Sequence, residues 1–211
     1  MIYREISDSE IEALRGKVAV LMSEKRYLHT LAVEDMAGRL SDLYCPEKKS
    51  KLRAAALLHD ITKELSSDDH ITICREYGEE LSAEDLRAPK TFHARTAAVL
   101  IPMEFPEFSD IEIINAVRYH TTGCAYMTLF EKIIYLADYI DETRTFEDCV
   151  KLRDMFWSAQ PQKMSLGERM KHLDAVLLEA LDMSISSLIN DGKIISCDTV
   201  SARNSLLLNI K

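Results

Sequence analysis

The chain has 211 residues, of which 47% are hydrophobic and only 6 are glycine and 5 proline, which excludes global disorder and argues against a many-turned sandwich. Its net charge of -9 disfavours non-specific binding to a nucleic-acid backbone, although a bound cation would reverse the local sign and admit a small phosphorylated ligand.

Helical periodicity runs through the sequence. Ser7-Asp8-Ser9-Glu10 opens a capped amphipathic helix with Ile11, Leu14, Val18 and Leu21 on one side. A second helix is expected from about Leu28 to Tyr44, with Leu31, Met36 and Leu40 inward and Cys45-Pro46 as its stop. A third covers about Lys48 to Asp60. Ser66 to Tyr77 follows, ended by Gly78, then Thr91 to Ile101, closed by Pro102. Phe108 to His120 is closed by Thr121-Thr122-Gly123, and Met127 to Asp141 is strongly apolar. Glu147 to Ser158 and Leu166 to Asn190 complete the set, with Asp191-Gly192 ending the last long helix. No stretch alternates with period two, so the expected fold class is all-α. One domain over 1–211 is expected, its last third packed on as an extension.

Five scattered cysteines (Cys45, Cys74, Cys124, Cys149 and Cys197) form no Cys-x-x-Cys pair and read as reduced thiols. Residues 1–25 carry no export signal, and no segment approaches the ~20 apolar residues of a membrane helix. A cytoplasmic location is expected, with no membrane and no nucleic-acid partner.

The doublet His59-Asp60 ends the apolar run Ala54-Ala55-Ala56-Leu57-Leu58. Adjacent helical residues diverge by roughly 100°, so both side chains can lean toward one point beside the core. A neutral imidazole and a carboxylate there suit a divalent metal. The alternative is a helix end turning to solvent, with Asp60 exposed. Asp138 stands inside Ile133-Ile134-Tyr135-Leu136-Ala137-Asp138-Tyr139-Ile140. Burying it without a partner costs several kcal/mol, so it either meets a metal or an arginine or faces solvent. His29, His93 and His120 also fall at or near helix ends or on apolar helices. His70, after Ser66-Ser67-Asp68-Asp69, reads as exposed, and His172 lies in a charged segment. Phe156 and Trp157 read as packing for the extension.

The order His29, His59-Asp60, His93, His120, Asp138 resembles that of the HD-domain superfamily of metal-dependent phosphohydrolases, over about residues 20–145. Four stretches carry a narrower resemblance: Lys25-Arg26-Tyr27-Leu28-His29-Thr30, His59-Asp60-Ile61-Thr62-Lys63, Tyr119-His120-Thr121-Thr122-Gly123 and Lys132 to Ile140. They are similar to the YqeK family of bacterial HD hydrolases. One departure follows His93, where that family commonly has a proline and small apolar residues and this chain has Ala94-Arg95-Thr96.

The resemblance implies an HD-domain helical bundle with a helical extension over about 147–211. It also implies a hydrolase that cleaves diadenosine tetraphosphate into two ADP with metal-activated water; a looser label links the family to NAD metabolism. His29, His59, Asp60 and Asp138 match the metal quartet, and the family implies iron, with manganese or another divalent ion open, as one or two metals. His93 and His120 would either hold a second metal, with Asp60 bridging, or contact the phosphates. Asp60, Lys63, His93 and His120 are then the catalytic set, and His29, Lys63, His93, His120, Thr121 and Arg144 the substrate-binding set. Lys63 can share a helix face with His59 and Asp60. The fork of Arg144 suits phosphate, or pairs with Asp141 or Glu142. Thr121-Thr122-Gly123 receives an anion or merely stops a helix, and Arg203-Asn204 could touch the nucleotide. A nucleotide is the expected partner, and a homodimer is left open. Two other readings remain: a nucleotide phosphatase or alarmone hydrolase on the same fold, and a nucleotide- or metal-sensing module without turnover.

Overall fold

The computed structural model describes residues 5–210, and no strand occurs among them. Residues 1–4 and 211, part of the expected 1–211 domain, lie outside the described residues. Helix α1 (Asp8–Ala19) begins with a capping box in which the Ser7 hydroxyl accepts from the Glu10 N–H and the Glu10 carboxylate accepts from the Ser7 N–H. It buries Ile11, Leu14 and Val18. Leu21 was expected on the same side, but the helix ends at Ala19, its register stops, and Leu21 is exposed.

Helix α2 (Glu24–Tyr44) starts earlier than about Leu28, because the Ser23 hydroxyl caps it by accepting from the Arg26 N–H. That puts His29 in the second turn, on the same face as Arg26. Helix α3 (Lys49–Leu58) buries Leu52, Leu57 and Leu58, and His59 and Asp60 lie just past its end. Helix α4 (Ser67–Glu76) carries a second capping box, Ser66 with Asp69. Helix α5 (Phe92–Glu104) runs through Pro102 instead of stopping there. The proline falls in the last turn, where the Phe105 N–H to Ile101 carbonyl bond (2.9 Å) still closes the helix. Helix α6 (Ile111–Tyr119) starts later than Phe108, after a short turn over Pro106–Phe108, with Asp110 as cap. Helix α7 (Leu129–Ile140) has a Thr128–Glu131 capping box.

Helices α8 (Glu147–Ser158) and α9 (Leu166–Asn190) match expectation. Helix α10 (Cys197–Ile210) does not, because the sequence reading ended its helices at Asn190. Its buried residues include Thr199, Ala202, Ser205 and Leu206, too small and polar to print an apolar stripe.

Helices α2 and α3 pack together, α7 crosses both, and α6 joins α3, α5 and α7. One apolar cluster runs from Met36 and Leu57 through Ile133 and Leu136 to Phe156, Leu173 and Leu177, so the extension shares the core. Buried Glu34 ties the first three helices, accepting from Arg15 (2.8 Å) and Arg53 (2.9 Å). Lys132 of α7 reaches Asp174 of α9 at 2.6 Å. Among the described residues no helix is long and apolar enough to cross a membrane.

Candidate metal centre

Five helices deliver the predicted residues to one place. His29 comes from α2, His59 and Asp60 from the end of α3, His93 from the first turn of α5, His120 from the end of α6 and Asp138 from α7. His59, Asp60, His93 and His120 are each at most 2% exposed, which overturns the reading of a helix end turned to solvent.

Asp60 stands at the centre. Its Oδ2 faces His59 Nε2 (3.4 Å) and His29 Nε2 (3.9 Å), and its Oδ1 faces His93 Nε2 (3.3 Å) and His120 Nε2 (3.5 Å). Asp138 Oδ1 closes the first side, 3.1 Å from His29 Nε2 and 3.8 Å from His59 Nε2. One carboxylate therefore has an oxygen toward each of two histidine pairs.

The rings are aimed by their other nitrogen. Nδ1 of His59, His93 and His120 meets the carbonyl three residues earlier, Ala56 (2.5 Å), Lys90 (2.9 Å) and Val117 (2.7 Å). A carbonyl only accepts, so each Nδ1 carries a proton and each ring turns Nε2, the nitrogen left bare in that tautomer's neutral form, to the centre. His29 is aimed differently, its Nδ1 lying 3.3 Å from Thr143 Oγ1 and 3.4 Å from Asp141 Oδ2.

Charge follows this layout. Burial pulls the His29 pKa down, but Asp138 and Asp141 outweigh it and lift the group to about 9. Burial pushes His93 well down, helped by His120 and Lys63, and burial lowers His120 too. Burial works to raise Asp60, yet His59, His120 and Lys63 hold it well below the usual carboxylate range. Burial is likewise overcome at Asp138, chiefly by Arg144. Burial lowers the Lys63 ammonium.

The donors fit a metal. Nε2 of His29 and of His59 and Oδ1 of Asp60 are buried without a hydrogen-bond partner. Atoms of His29, His59 and Asp138 lie within 4.8 Å of one another, as do atoms of His59, Asp60 and His120. Mixed imidazole and carboxylate donors suit iron, manganese or zinc.

Three cations sit on this anionic centre. Lys63 Nζ is 2.9 Å from His93 Nε2 and 3.6 Å from Asp60 Oδ1. Arg144 donates from Nη2 to Asp138 Oδ1 (2.5 Å) and lies 3.4 Å from Asp141, so it pairs with Asp141 as one reading held, while Glu142 pairs with Arg39. Arg26 Nη1 donates to Asp60 Oδ2 at 2.8 Å. The sequence reading gave Arg26 no role, although its position three residues before His29 places both on one face. It named Asp141 only as a partner for Arg144, not for His29, and gave Thr143 no role; Asp141 follows Asp138 by one turn, which was the available signal.

Thr121 Oγ1 lies 3.1 Å from His93 Nε2. The turn behind it stops α6, since the Gly123 N–H donates to the Tyr119 carbonyl at 2.8 Å. Arg203 donates to Asp182 of α9 at 2.7 Å. His70 is 4% exposed, against expectation, because positions 70 and 74 form the inner face of α4 while Ser67, Asp68 and Asp69 face out. After His93, Thr96 is fully buried and Arg95 pairs with Asp85 at 2.8 Å. His172 Nε2 donates to the Phe156 carbonyl at 3.0 Å.

Comparison with known proteins agrees with this geometry. The HD domain family matches residues 26–143. The chain is 32% identical over 203 residues to a symmetrical bis(5'-nucleosyl)-tetraphosphatase of Halalkalibacterium halodurans, covering 93% of this chain and 99% of that one. A protein of the same description from Staphylococcus aureus is 35% identical over 149 residues, 70% of this chain and 75% of its own length. The crystal structure of a predicted HD superfamily hydrolase involved in NAD metabolism, from Clostridium acetobutylicum, superposes with a TM-score of 0.80 at 34% identity, over 94% of this chain and 97% of that one. With an HD match over more than half its length, near-full-length relatives and the shared fold, the chain belongs to the HD domain family as a YqeK-type phosphohydrolase.

Proposed function

We propose that this enzyme cleaves dinucleoside polyphosphates symmetrically, diadenosine tetraphosphate into two ADP. The observation that carries the reading is Asp60, with one oxygen toward His29 and His59 and the other toward His93 and His120. The relatives of Halalkalibacterium halodurans and Staphylococcus aureus are named symmetrical bis(5'-nucleosyl)-tetraphosphatases, which supports this reading.

We assign His29, His59, Asp60 and Asp138 to a metal. His93, His120 and the second oxygen of Asp60 form a second position beside it. Direct phosphate contact by His93 and His120 would require both rings to be protonated, against the burial that lowers both. A divalent ion bound here, with iron the proposed species and manganese or another ion the alternative, supplies a Lewis acid that polarises phosphoryl oxygens and acidifies water. The chain's own cations handle the polyphosphate. Arg26, Lys63 and Arg144 lie on the carboxylates that take up the metal and can turn to phosphate oxygens when those carboxylates are engaged. Lys63 Nζ, which already faces the centre, neutralises charge developing on the departing ADP. The Thr121 hydroxyl beside His93 offers a hydrogen bond to the same phosphates.

The shared apolar core supports reading residues 1–211 as one domain, an HD core of about 20–145 with an extension of about 147–211. The five cysteines are unpaired, which suits the reducing cytoplasm we assign to it. The test is to supply the purified protein with iron or manganese and diadenosine tetraphosphate and to resolve the products. Two ADP are expected; ATP plus AMP would contradict symmetrical cleavage. No turnover with any divalent ion, or faster turnover of a mononucleotide or an alarmone in a substrate panel, would displace the assignment.

A further inference from the structure

A buried polar chain ends on the backbone of His93. Thr62 is 3% exposed, Thr96 0% and His70 4%. Thr62 Oγ1 donates to the His93 carbonyl at 2.8 Å. Thr96 Oγ1 lies 3.0 Å from Thr62 Oγ1, 3.1 Å from the Phe92 carbonyl and 3.2 Å from the His93 carbonyl. His70 Nδ1 lies 2.9 Å from Thr96 Oγ1. Each threonine has one hydroxyl hydrogen. Thr62 uses its hydrogen on His93, so its lone pairs are open to Thr96, and the lone pairs of Thr96 are open to a proton on His70 Nδ1. The one Thr96 hydrogen has three acceptors in reach, of which Thr62 Oγ1 is the nearest; with it placed there and a proton on His70 Nδ1, the bonds run one way, from His70 to Thr96 to Thr62 to the His93 carbonyl.

The chain spans two segments that need fixing. His59-Asp60 sits past the end of α3, and Thr62 follows Asp60 by two residues. His93 sits in the first turn of α5, whose N-cap Thr91 makes no side-chain capping bond. The Thr62 bond is thus a direct tie between the backbone that presents His93 and the turn that presents Asp60. Their side chains meet at 3.3 Å.

We propose that Thr96 and His70 are positioning residues for the hydrolysis. They act through Thr62 to hold His93 Nε2 in register with Asp60 Oδ1, and touch neither substrate nor metal. The proposal rests on the assignment of His93 to the catalytic centre. Its first test needs no turnover. In the metal-free protein, ring 15N–1H correlation spectra should show His70 as the Nδ1–H tautomer. The His93 ring signals should shift in Thr96→Val and His70→Phe and stay in place in Thr96→Ser and His70→Asn, which keep a hydroxyl and a donor at the same atoms. In the loaded enzyme, Thr96→Val and His70→Phe should lower kcat by about 10-fold or more, the range of outer partners of metal-site histidines. KM should stay within about twofold of wild type, and Thr96→Ser and His70→Asn should restore kcat.

A His70 ring protonated only on Nε2 overturns the proposal. So does equal loss in Thr96→Val and Thr96→Ser, or a fall in kcat that matches the unfolded fraction in a melting curve. If Thr96→Val does not fold, the His70→Phe and His70→Asn pair decides by the same readings. A wild-type protein that shows the tautomer and the shifts but hydrolyses no dinucleotide would sink the proposed substrate and leave the positioning chain standing.

Discussion

The two flanks of Asp60 are built from the same residue types and carry opposite electrostatics. On the Oδ2 flank, His29 and His59 share space with Asp138, and Asp141 stands behind His29, which is lifted to about 9. On the Oδ1 flank, His93 and His120 meet no second carboxylate, Lys63 is 2.9 Å from His93, and burial drives both rings toward neutrality. Burial lowers the pKa of all three imidazoles; Asp138 and Asp141 outweigh it at His29, and no second carboxylate does so at His93 or His120. The first flank has carboxylates of its own to draw a cation once His29 gives up its proton and Arg26 and Arg144 turn away. The second has bare nitrogens but depends on Asp60 for its negative charge.

Removing Asp60 is the harshest way to break the comparison, because both flanks use it. Asp60→Ala should lower turnover by on the order of 10³-fold or more, beyond the 10–100-fold typical of outer-shell partners, and strip metal from both positions. Elemental analysis beside a product assay checks this; near-wild-type turnover would remove Asp60 from the mechanism. Cutting one flank at a time comes next. His120→Ala should lower kcat by roughly 10²-fold and leave about one ion per chain, held by the anionic flank. A wild-type protein with a single ion, kept intact in His120→Ala, would return His93 and His120 to phosphate contact.

The parts of the site that stood out in the sequence are those where a polar residue interrupts an apolar run: His59-Asp60 after Leu57-Leu58, His120 at the end of its helix, and Asp138 within Ile133 to Ile140. Burial of such residues requires partners, and that requirement is local and readable. Partners brought by folding left no such trace. Arg26 looks like an ordinary surface cation until α2 and the Asp60 turn meet, whereas Lys63 is legible from its spacing after His59 and Asp60. Asp141 looks like a helix end until His29 arrives from more than a hundred residues away. His70 was hidden by its polar neighbours, which occupy the outer side of α4. Helix α10 was hidden by its composition, since Thr199, Ala202 and Ser205 make close contact without an apolar period.

The electrostatic contrast predicts a pH signature of intermediate size. In the metal-free protein the His29 pKa is raised from 6.5 to about 9. A raised histidine stabilises the fold fully below about 6.5, and that contribution fades as pH climbs through about 9. It amounts to at most about 3 kcal/mol. The chelated protein should therefore lose melting temperature between those limits more steeply than His29→Gln. The carboxylates are held at low pKa and do not titrate in this window. Metal binding requires the neutral ring and releases its proton, so affinity should rise over the same window. Parallel melting profiles for the two chelated proteins would show that folding does not raise the His29 pKa, and would remove the contrast.

The flanks also differ in what supports them from behind, and the smallest prediction tests this. His29 leans on Asp141 and Thr143, whereas the turn after His120 leans on the extension. Gly123 has φ +66, and a Cβ there would lie 2.9 Å from the Ala202 Cβ of α10 and 3.4 Å from Met127 Sδ. The Tyr126 N–H donates to Ser205 Oγ on the same helix at 3.1 Å. Gly78 supplies the control, with φ +74 and nothing within 4 Å. Gly78→Ala should lose only the left-handed penalty of about 1 kcal/mol, a melting shift of roughly 2–4 °C for a chain of this size. Gly123→Ala adds a collision with a Cβ fixed to a helix, which cannot swing aside as the end of a flexible side chain would, so α10 or the His120 turn must move. Its melting shift should be at least about twice that of Gly78→Ala, with a fall in kcat that the control lacks. Equal shifts, or an unchanged kcat in Gly123→Ala, would mean that the extension does not brace the His120 flank.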